Sequence, residues 1–277
     1  MAFPVKSVGV VGGGVVGHAT ARSYTEFCDV RVYDIDPRRS TDPLRKVLEC
    51  DLVFVCLPTP MRADGACDLS YVELFFRDVL SKDTPFVLRS TVPVGTTKSL
   101  AEKHGLDIVH SPEFLTARCA LVDAQVPSRN IIGYGNVSGN AGNVCAKLYA
   151  HRFPGVPLFR MASNSSELVK LICNAFFSTK IAFFNEMRDF SDATHCYWPA
   201  VIEAVLADGR IHPSHTNVPG PDGRRGFGGA CLPKDLSSVV HQLVELDIPP
   251  MMTAAALDRN TLDRFPPPSP SPEEKLA

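Results

Sequence analysis

The chain lacks several features that would assign it to whole classes of protein. It has no excess of basic residues, because 28 Lys and Arg stand against 30 Asp and Glu, and this argues against nucleic acid as its main partner. It has no apolar run of membrane-spanning length, since Gly, Asp or Pro breaks the longest candidates. Its N-terminus has neither a basic region nor a cleavage-site pattern. We therefore expect a cytoplasmic protein without nucleic acid or membrane as a partner.

The nine cysteines lack the spacing of a metal site or of a disulfide framework. No CxxC pair occurs, and an odd number of cysteines without a signal peptide argues against structural disulfides. His195, His212 and His215 do not have tetrahedral ligand spacing either, so no metal site is predicted. Most of the cysteines are expected to be small buried hydrophobic residues.

The first 160 residues alternate short β-branched runs with helical patterns, which is typical of a parallel sheet covered on both faces. The predicted strands are VKSVGVV, VRVYD, LVFVCLP, FVLRSTVP, DIVHSPEF and NIIGYG. This order predicts an α/β fold with a Rossmann-like, doubly wound parallel sheet. We assign residues 1–160 to that domain.

After residue 160 the pattern becomes helical. From Asn164 the chain has about seven helical turns without Gly or Pro, which predicts a long central helix. Asn164 with Glu167 resembles a capping box at its start. An apolar stripe along this helix favours a homodimer, with core packing as the alternative. We assign residues 161–250 to the central helix and a helical dimerisation and catalytic domain, and residues 251–277 to a short helix and a disordered proline-rich tail.

A glycine-rich turn predicts a dinucleotide site. Gly12, Gly14 and Gly17 form GxGxxG directly after the first strand and at the opening of a helix, which permits close approach of the backbone to a pyrophosphate. Asp34 closes the second strand, where an acid can accept hydrogen bonds from ribose. An acid there favours NAD over NADP, and the nearby Arg39 weakens that preference. The alternative is a purely structural turn.

Small polar residues follow two further predicted strands. LPTP (57–60) ends one strand and STVPVGTT (90–97) ends the next. Ligands bind at the carboxyl edge of a parallel sheet, so both segments are candidate parts of the site. Ordinary strand-to-helix turns are the alternative for each.

The motif GFGGACLPKD (226–235) carries the candidate nucleophile. Pro233 suits the first turn of a helix, which predicts Cys231 at a helix N-terminus beside Lys234 and Asp235. A helix N-terminus and a neighbouring lysine both favour the thiolate that a nucleophile needs. A buried, inert thiol is the alternative.

Two other segments carry candidate catalytic groups. In SPEFL, Glu113 follows another predicted strand end. On the long helix, Lys170 and Asn174 are four residues apart and therefore project from one face. The alternative for Lys170 is a side chain that reaches out to water.

Taken in order, these segments resemble the UDP-glucose/GDP-mannose dehydrogenase family. The segments are GGGVVG, VYDID, LPTP, STVPVGTT, SPEFL, ELVKLICNAF, GRI and GFGGACLPKD. The resemblance implies a Rossmann-like NAD domain, a long central helix and a helical dimerisation region. It also implies NAD-dependent oxidation of the C6 alcohol of a nucleotide sugar of the UDP-glucose type to the carboxylate.

The resemblance also implies roles for individual residues. Cys231 would capture the aldehyde as a thiohemiacetal and later carry a thioester, which water hydrolyses. Lys170 and Asn174 would stabilise the oxyanion. Asp235 would act with Lys170 on the water and on the substrate-oxygen proton, and Glu113 would assist thioester hydrolysis.

Further residues are implied in binding. The implied cofactor-binding residues are Gly12, Gly14, Val15, Val16, Gly17, Asp34, Arg39, Pro58, Thr59, Pro60, Ser90, Thr91 and Lys234. Thr91, near the nicotinamide and the water, is implied as a catalytic residue as well. The implied substrate-binding residues are Glu113, Phe114, Leu115, Lys170, Asn174, Arg210, Phe227, Gly228 and Gly229. Arg210 would reach the substrate across a dimer interface.

The sequence departs from the family pattern at several points. Only residues 35–50 separate Asp34 from the strand DLVFVCLP, so a helix or strand usual in the family is expected to be missing. The loop before GFGG carries Arg224 and Arg225, which are candidates for phosphate contacts or for an exposed turn. After LDRNTLDRF the chain enters PPPSPSP, where the family continues into a second, nucleotide-binding Rossmann-like domain, so we expect that domain to be lacking.

Two other functions stay open on the sequence. One is a catalytically weak or silent NAD-binding dimerisation module. The other is a dehydrogenase of a small hydroxy acid, which would use Lys170 and would not need Cys231.

Overall fold

The computed structural model describes residues 5–79, 83–116, 118–135 and 139–266. They belong to two compact units. The first unit takes in the chain up to residue 62 and residues 67–171, and the second takes in residues 63–66 and the chain from residue 172. The division falls inside the long helix, between Leu171 and Ile172, whereas the sequence pattern placed it at residue 160.

The first unit is built on a seven-stranded sheet of order β2-β1-β3-β4-β5-β6-β7. Its strands are β1 (Ser7–Val11), β2 (Asp29–Tyr33), β3 (Leu52–Val55), β4 (Phe86–Leu88), β5 (Ile108–His110), β6 (Asn130–Tyr134) and β7 (Leu158–Ala162). The prediction of a doubly wound, Rossmann-like sheet is confirmed. One pair departs from it, because β6 runs antiparallel to β5, with Val109 opposite Tyr134.

Six helices of the described residues accompany the sheet up to β7. They are α1 (Val15–Tyr24), α2 (Leu44–Leu48), α3 (Ser70–Asp78), α4 (Thr96–His104), α5 (Ala120–Gln125) and α6 (Ala141–Arg152). One hydrophobic cluster joins β1 and β3 to α1 and α6, with Tyr24, Phe54 and Tyr149 fully buried. A second cluster includes Val47 of α2 and Phe76 of α3. The sheet is therefore covered on both faces, as its apolar strands require.

The connection from β2 to β3 retains regular structure. The 3₁₀ turn Pro37–Arg39 and α2 lie where we expected a helix or strand to be missing. Val47 of α2 is fully buried against the sheet, so this short helix contributes to the core. The shortened connection therefore still covers its part of the sheet.

The start of the long helix α7 (Ser163–Ala193) differs from the predicted capping box. Asn164 lies inside the first helical turn and not before it. The carboxylate of Glu167 accepts hydrogen bonds from the backbone N–H groups of Gly95 and Thr97 and from the Thr97 hydroxyl, at 2.6–2.7 Å. Glu167 thus caps α4 rather than its own helix, because the first N–H groups of α4 need acceptors. The capping-box interpretation is wrong.

The second unit contains the rest of α7 together with α8 (Trp198–Leu206), α9 (Leu232–Glu245) and α10 (Met251–Arg264). Its core is small and includes Ala175, Phe227, Leu236 and Ala256. Among the described residues, no helix is long and apolar enough to cross a membrane.

The apolar stripe of α7 is only partly core. Leu171 and Ala175 are buried, whereas Ile172, Phe176 and Phe183 are more than half exposed. The predicted stripe therefore separates into a face that packs and a face that is open to solvent.

Candidate functional site

The glycine-rich turn joins β1 to α1 at the carboxyl edge of the sheet. Gly12 has a φ of +95°, and a methyl group there would lie 2.4 Å from the carbonyl oxygen of Cys56. A methyl group on Gly17 would lie 1.8 Å from the carbonyl oxygen of Gly12. A methyl group on Gly14 would meet no described atom within 4 Å. Gly12 and Gly17 thus allow the turn, and Gly14 leaves open space beside it, as a bound pyrophosphate would need.

Asp34 lies directly after β2, beside this turn. Its Oδ2 accepts a hydrogen bond from the N–H of Gly13 at 2.7 Å, and its Oδ1 accepts one from the N–H of Asp36 at 2.8 Å. A methyl group on Gly13 would lie 2.9 Å from Cβ of Arg39, so Arg39 also borders the turn. The first turn of α1, with Val15 exposed, presents N–H groups that the helix itself does not use. These features fit a dinucleotide whose ribose meets an acid.

The two strand-end loops after β3 and β4 are joined by hydrogen bonds. The hydroxyl of Ser90 donates to the carbonyl of Leu57 at 2.6 Å. The hydroxyl of Thr59 donates to the carbonyl of Thr91 at 2.8 Å. The predicted cofactor-side segments LPTP and STVPVGTT therefore form one connected edge of the sheet.

Glu113 and Lys170 form a buried ion pair within the first unit. Nζ of Lys170 lies 3.0 Å from Oε1 of Glu113, and the two residues are 5% and 9% exposed respectively. Oε2 of Glu113 accepts a hydrogen bond from the N–H of Leu115 at 2.6 Å. The ammonium also lies 5.4 Å from the ring centre of Phe114. These partners compensate the burial of the ammonium. The alternative that the Lys170 side chain reaches out to water is therefore wrong.

Asn174 and Asp235 meet within the second unit. Nδ2 of Asn174 donates to Oδ2 of Asp235 at 2.6 Å, and Nζ of Lys234 lies 2.5 Å from Oδ1. Asp235 is 1% exposed, so these two donors compensate a carboxylate held away from water. Cys231 is the N-cap residue of α9 and is exposed, as its place before Pro233 predicted.

The cysteines differ in their surroundings. Two of the nine are buried, four are half-buried and three are exposed, so the expectation that most are buried was too broad. Burial raises the pKa of Cys56 and of Cys145 to about 12, which makes them poor nucleophiles. Cys119 and Cys196 are exposed as well. Cys119 also caps a helix, α5, but the acid one turn after it, Asp123, is only half-buried. What sets Cys231 apart is the buried carboxylate of Asp235 one turn after it in α9.

The other predicted substrate residues lie on and around the loop between α8 and α9. Arg210 is 89% exposed at its side chain, and its guanidinium lies 2.5 Å from the carboxylate of Asp208. Phe227 is buried, and Gly228 and Gly229 follow it toward Cys231. The role of Arg210 across a dimer interface remains a prediction.

Sequence reasoning missed three polar residues that hold the loop before Cys231. They are Asn185 on α7 and Asn260 and Arg264 on α10, and each bonds the backbone of residues 226–227. An asparagine in a helix interior is a weak signal of such a contact. Arg225, a candidate phosphate ligand, instead pairs with Asp189 at 2.6 Å.

Comparison with known proteins identifies the family. Residues 38–152 match the sequence profile of the UDP-glucose/GDP-mannose dehydrogenase family, NAD binding domain, and residues 164–262 match the profile of the central domain of the same family. The chain belongs to this family. NAD is thus the cofactor of its first unit. The glycine-rich turn and Asp34 precede the matched range.

Relatives of this family include enzymes with different substrates. The chain is 34% identical over 222 residues to UDP-glucose 6-dehydrogenase of Rhizobium meliloti, covering 76% of this chain and 50% of the relative. It is 28% identical over 240 residues to GDP-mannose 6-dehydrogenase of Pseudomonas aeruginosa, covering 80% and 53%. The chain therefore spans about half the length of the curated relatives it matches.

A solved structure of the family has a similar fold. The UDP-glucose dehydrogenase of the archaeon Pyrobaculum islandicum superposes with a TM-score of 0.78 at 27% sequence identity. The match covers 93% of this chain and 68% of the archaeal chain. It agrees with the Rossmann-like sheet followed by a long helix.

Proposed function

We propose that the protein oxidises the C6 alcohol of a nucleotide sugar of the UDP-glucose type to the carboxylate, with NAD as acceptor and Cys231 as nucleophile. The observation that carries the proposal is the buried hydrogen bond from Asn174 to Asp235, in the helix that begins at Cys231. Family membership supports the reaction class. The buried pair of Lys170 and Glu113 adds an ammonium one helical turn from Asn174.

Cys231 supplies the covalent step of this reaction. The alcohol carbon is oxidised twice and gives up a hydride each time. Acceptance of the hydride is the chemistry that NAD supplies when it is bound at the glycine-rich turn. Between these oxidations the Cys231 thiolate adds to the C6 aldehyde, and the aldehyde oxygen takes a proton to give a thiohemiacetal. After the second oxidation, water adds to the thioester carbonyl, the C–S bond breaks and the thiolate is regenerated.

Four other side chains assist these steps in the proposal. The amide of Asn174 and the ammonium of Lys170 donate hydrogen bonds to the negative oxygen that develops on C6. Asp235, with Lys170, takes the proton of the attacking water and handles the proton on the substrate oxygen. Glu113 keeps Lys170 oriented and assists thioester hydrolysis. Each of these groups is already oriented by a partner, which reduces the reorganisation needed during reaction.

The binding residues complete the proposal. Gly12, Gly14, Gly17 and Asp34 hold NAD, with the segments LPTP and STVPVGTT and Lys234 on the cofactor side. Phe114, Leu115 and residues 227–229 contact the sugar nucleotide. A second copy of the chain contributes Arg210.

We also propose a homodimer formed through α7. Ile172, Phe176, Phe183 and Phe190 are exposed along one helix of this chain, at spacings of four and seven residues. A contiguous exposed apolar surface of this kind is uncommon on a monomer and marks an interaction site. A second copy offers the same helix, so the contact is self-complementary about a two-fold axis.

The decisive experiment is an NADH assay with a panel of sugar nucleotides that includes UDP-glucose and GDP-mannose. We expect two NADH per sugar oxidised, and loss of turnover in Cys231→Ala with unchanged NAD affinity. Cys196→Ala is the matched control, because Cys196 is an exposed cysteine of the same unit outside the site. Absence of NADH from every sugar nucleotide would contradict the proposal. NAD binding without turnover would then identify a silent module, and hydroxy-acid oxidation by Cys231→Ala would identify the small-substrate enzyme.

A further inference from the structure

The loop that leads into Cys231 has little structure of its own. Residues 223–229, GRRGFGG, contain four glycines, and Gly226 and Gly229 have φ values of +67° and +77°. Glycines lose more conformational freedom on folding than other residues. The conformation of this loop must therefore be fixed by contacts with the surrounding helices.

Two asparagines bind the backbone N–H groups of the loop. Oδ1 of Asn260, on α10, accepts a hydrogen bond from the N–H of Phe227 at 2.6 Å. Oδ1 of Asn185, on α7, accepts one from the N–H of Gly226 at 3.1 Å. A methyl group on Gly226 would lie 2.5 Å from Oδ1 of Asn260, so a residue with a side chain could not take its place without moving Asn260.

Arg264, also on α10, binds the carbonyl groups of the same residues. Its Nη2 donates to the carbonyl of Gly226 at 3.1 Å and its Nε to the carbonyl of Phe227 at 3.2 Å. Its Nη1 donates to Asp222 at 2.6 Å, which neutralises the charge. A methyl group on Gly228 would lie 2.5 Å from Nη2, so the guanidinium occupies the space that a side chain there would need. Only a planar, forked cation makes this set of contacts.

An ion-pair network anchors this part of α10 to α7. The side chain of Asp263 is 3% exposed and lies 2.7 Å from Nη2 of Arg259. Both Arg259 and Arg225 contact Asp189 on α7. Ion pairs therefore connect α10, which binds the loop, to α7, which carries Asn174.

We propose that Asn260 and Arg264 are positioning residues for Cys231. They hold the backbone at residues 226 and 227, which end four residues before the thiol, and so fix where the first turn of α9 begins. Neither residue touches the reacting atoms in this inference. The effect on catalysis rests on the proposed function, whereas the contacts of Asn260 and Arg264 lie within the second unit alone. A displacement of about 1 Å at a reacting group can lower a rate about a hundredfold. Loss of the hydrogen bonds from Asn260 and Arg264 to the loop should therefore lower turnover.

The test compares Arg264→Ala, Arg264→Lys and Asn260→Ala with the control Arg188→Ala. Arg188 pairs with Asp192 on α7 of the same unit and does not bind the loop. The first readout is the rate at which iodoacetamide alkylates the Cys231 peptide as a function of pH, followed by mass spectrometry. The second is kcat and KM in the NADH assay, with and without added guanidinium ion.

We expect the alkylation profile of Cys231 to move to higher pH in all three loop variants and to stay unchanged in Arg188→Ala. We expect kcat to fall at least tenfold in Arg264→Ala, with little change in KM for NAD. Added guanidinium ion should restore part of the lost kcat in Arg264→Ala but not in Asn260→Ala. Arg264→Lys keeps the charge but loses the fork, so it should stay impaired. Should Arg264→Ala fail to fold, the other two variants decide.

The inference is overturned if the loop variants match Arg188→Ala in both the alkylation profile and kcat. It is also overturned if KM for NAD and kcat change together while the alkylation profile is unchanged, because the loop contacts would then act on the fold in general. If the wild-type protein makes no NADH, the proposed function fails, and the alkylation profiles still decide whether Asn260 and Arg264 position the thiol.

Discussion

The ammonium of Lys170 lies 3.0 Å from the carboxylate of Glu113, and both side chains are withdrawn from solvent. Removal of either partner alone leaves a buried charge without its counter-ion, which costs far more than the loss of an exposed pair. The two residues should therefore be strongly coupled in stability as well as in activity.

We expect Lys170→Met and Glu113→Gln each to lower the free energy of unfolding by about 3–5 kcal/mol, and the double variant to cost less than the sum. Urea denaturation measures all three. Lys98→Met is the control, because Lys98 forms an exposed pair with Glu102 at 3.8 Å and its loss should cost about 0.5 kcal/mol or less. Additive effects in the double variant would show that the pair is not coupled.

Gly14 and Gly17 should respond differently to the same substitution. Gly14→Ala meets open space, so we expect normal folding and at least about tenfold weaker NAD binding, since the methyl group enters the cofactor space. Gly17→Ala places a methyl group 1.8 Å from a carbonyl oxygen and should lose folded protein altogether. Thermal melting and NAD titration separate the two. Full NAD affinity in Gly14→Ala would place the cofactor elsewhere.

His110 should make stability depend on pH. Burial lowers its pKa from 6.5 to about 3, so the folded protein keeps it neutral while the unfolded chain takes up a proton below pH 6.5. The neutral, buried His110 therefore contributes stability that is fully present above pH 6.5 and is lost as the pH falls toward 3. The free energy of unfolding falls by up to about 1.4 kcal/mol per pH unit in this range.

His110→Asn should remove that part of the slope in urea denaturation across pH 7 to about pH 5. His151→Asn, at an exposed position, is the control substitution. An unchanged slope in His110→Asn would show that His110 titrates normally in the folded state.

The exposed face of α7 should mediate self-association. We expect the wild-type protein to sediment as a dimer and the double variant Phe176→Asp/Phe183→Asp to sediment as a monomer, because a buried carboxylate in an apolar contact is costly. Phe159→Asp is the control, since Phe159 is a similarly exposed aromatic on β7. A monomeric wild type, or a dimeric double variant, would contradict the proposed interface.

Strong local patterns determined most of what the sequence predicted correctly. The glycine turn at Gly12, the buried strands and the helix start after Cys231 each follow from short-range rules of backbone sterics and hydrophobic period. The family resemblance then assigned Lys170, Asn174 and Asp235, whose partners could not be read from spacing alone.

The errors arose where long-range partners decided the outcome. Glu167 has the spacing of a capping box with Asn164, yet its carboxylate caps α4, about seventy residues away in the chain. The direction of β6 depends on the path of a connection and not on the pattern within the strand. Asn260 and Arg264 bind backbone atoms more than thirty residues away, and backbone atoms leave no signal in a sequence.

The cap that Glu167 provides has an evolutionary consequence. Glu167 and Lys170 stand three residues apart at the start of α7, and they reach different partners, the N-terminus of α4 and Glu113. Insertion or deletion of one residue before them would rotate both by about 100° and break both contacts at once. The beginning of α7 can therefore vary by substitution but not in length, so the number of residues from β7 to Lys170 should be invariant among functional homologues.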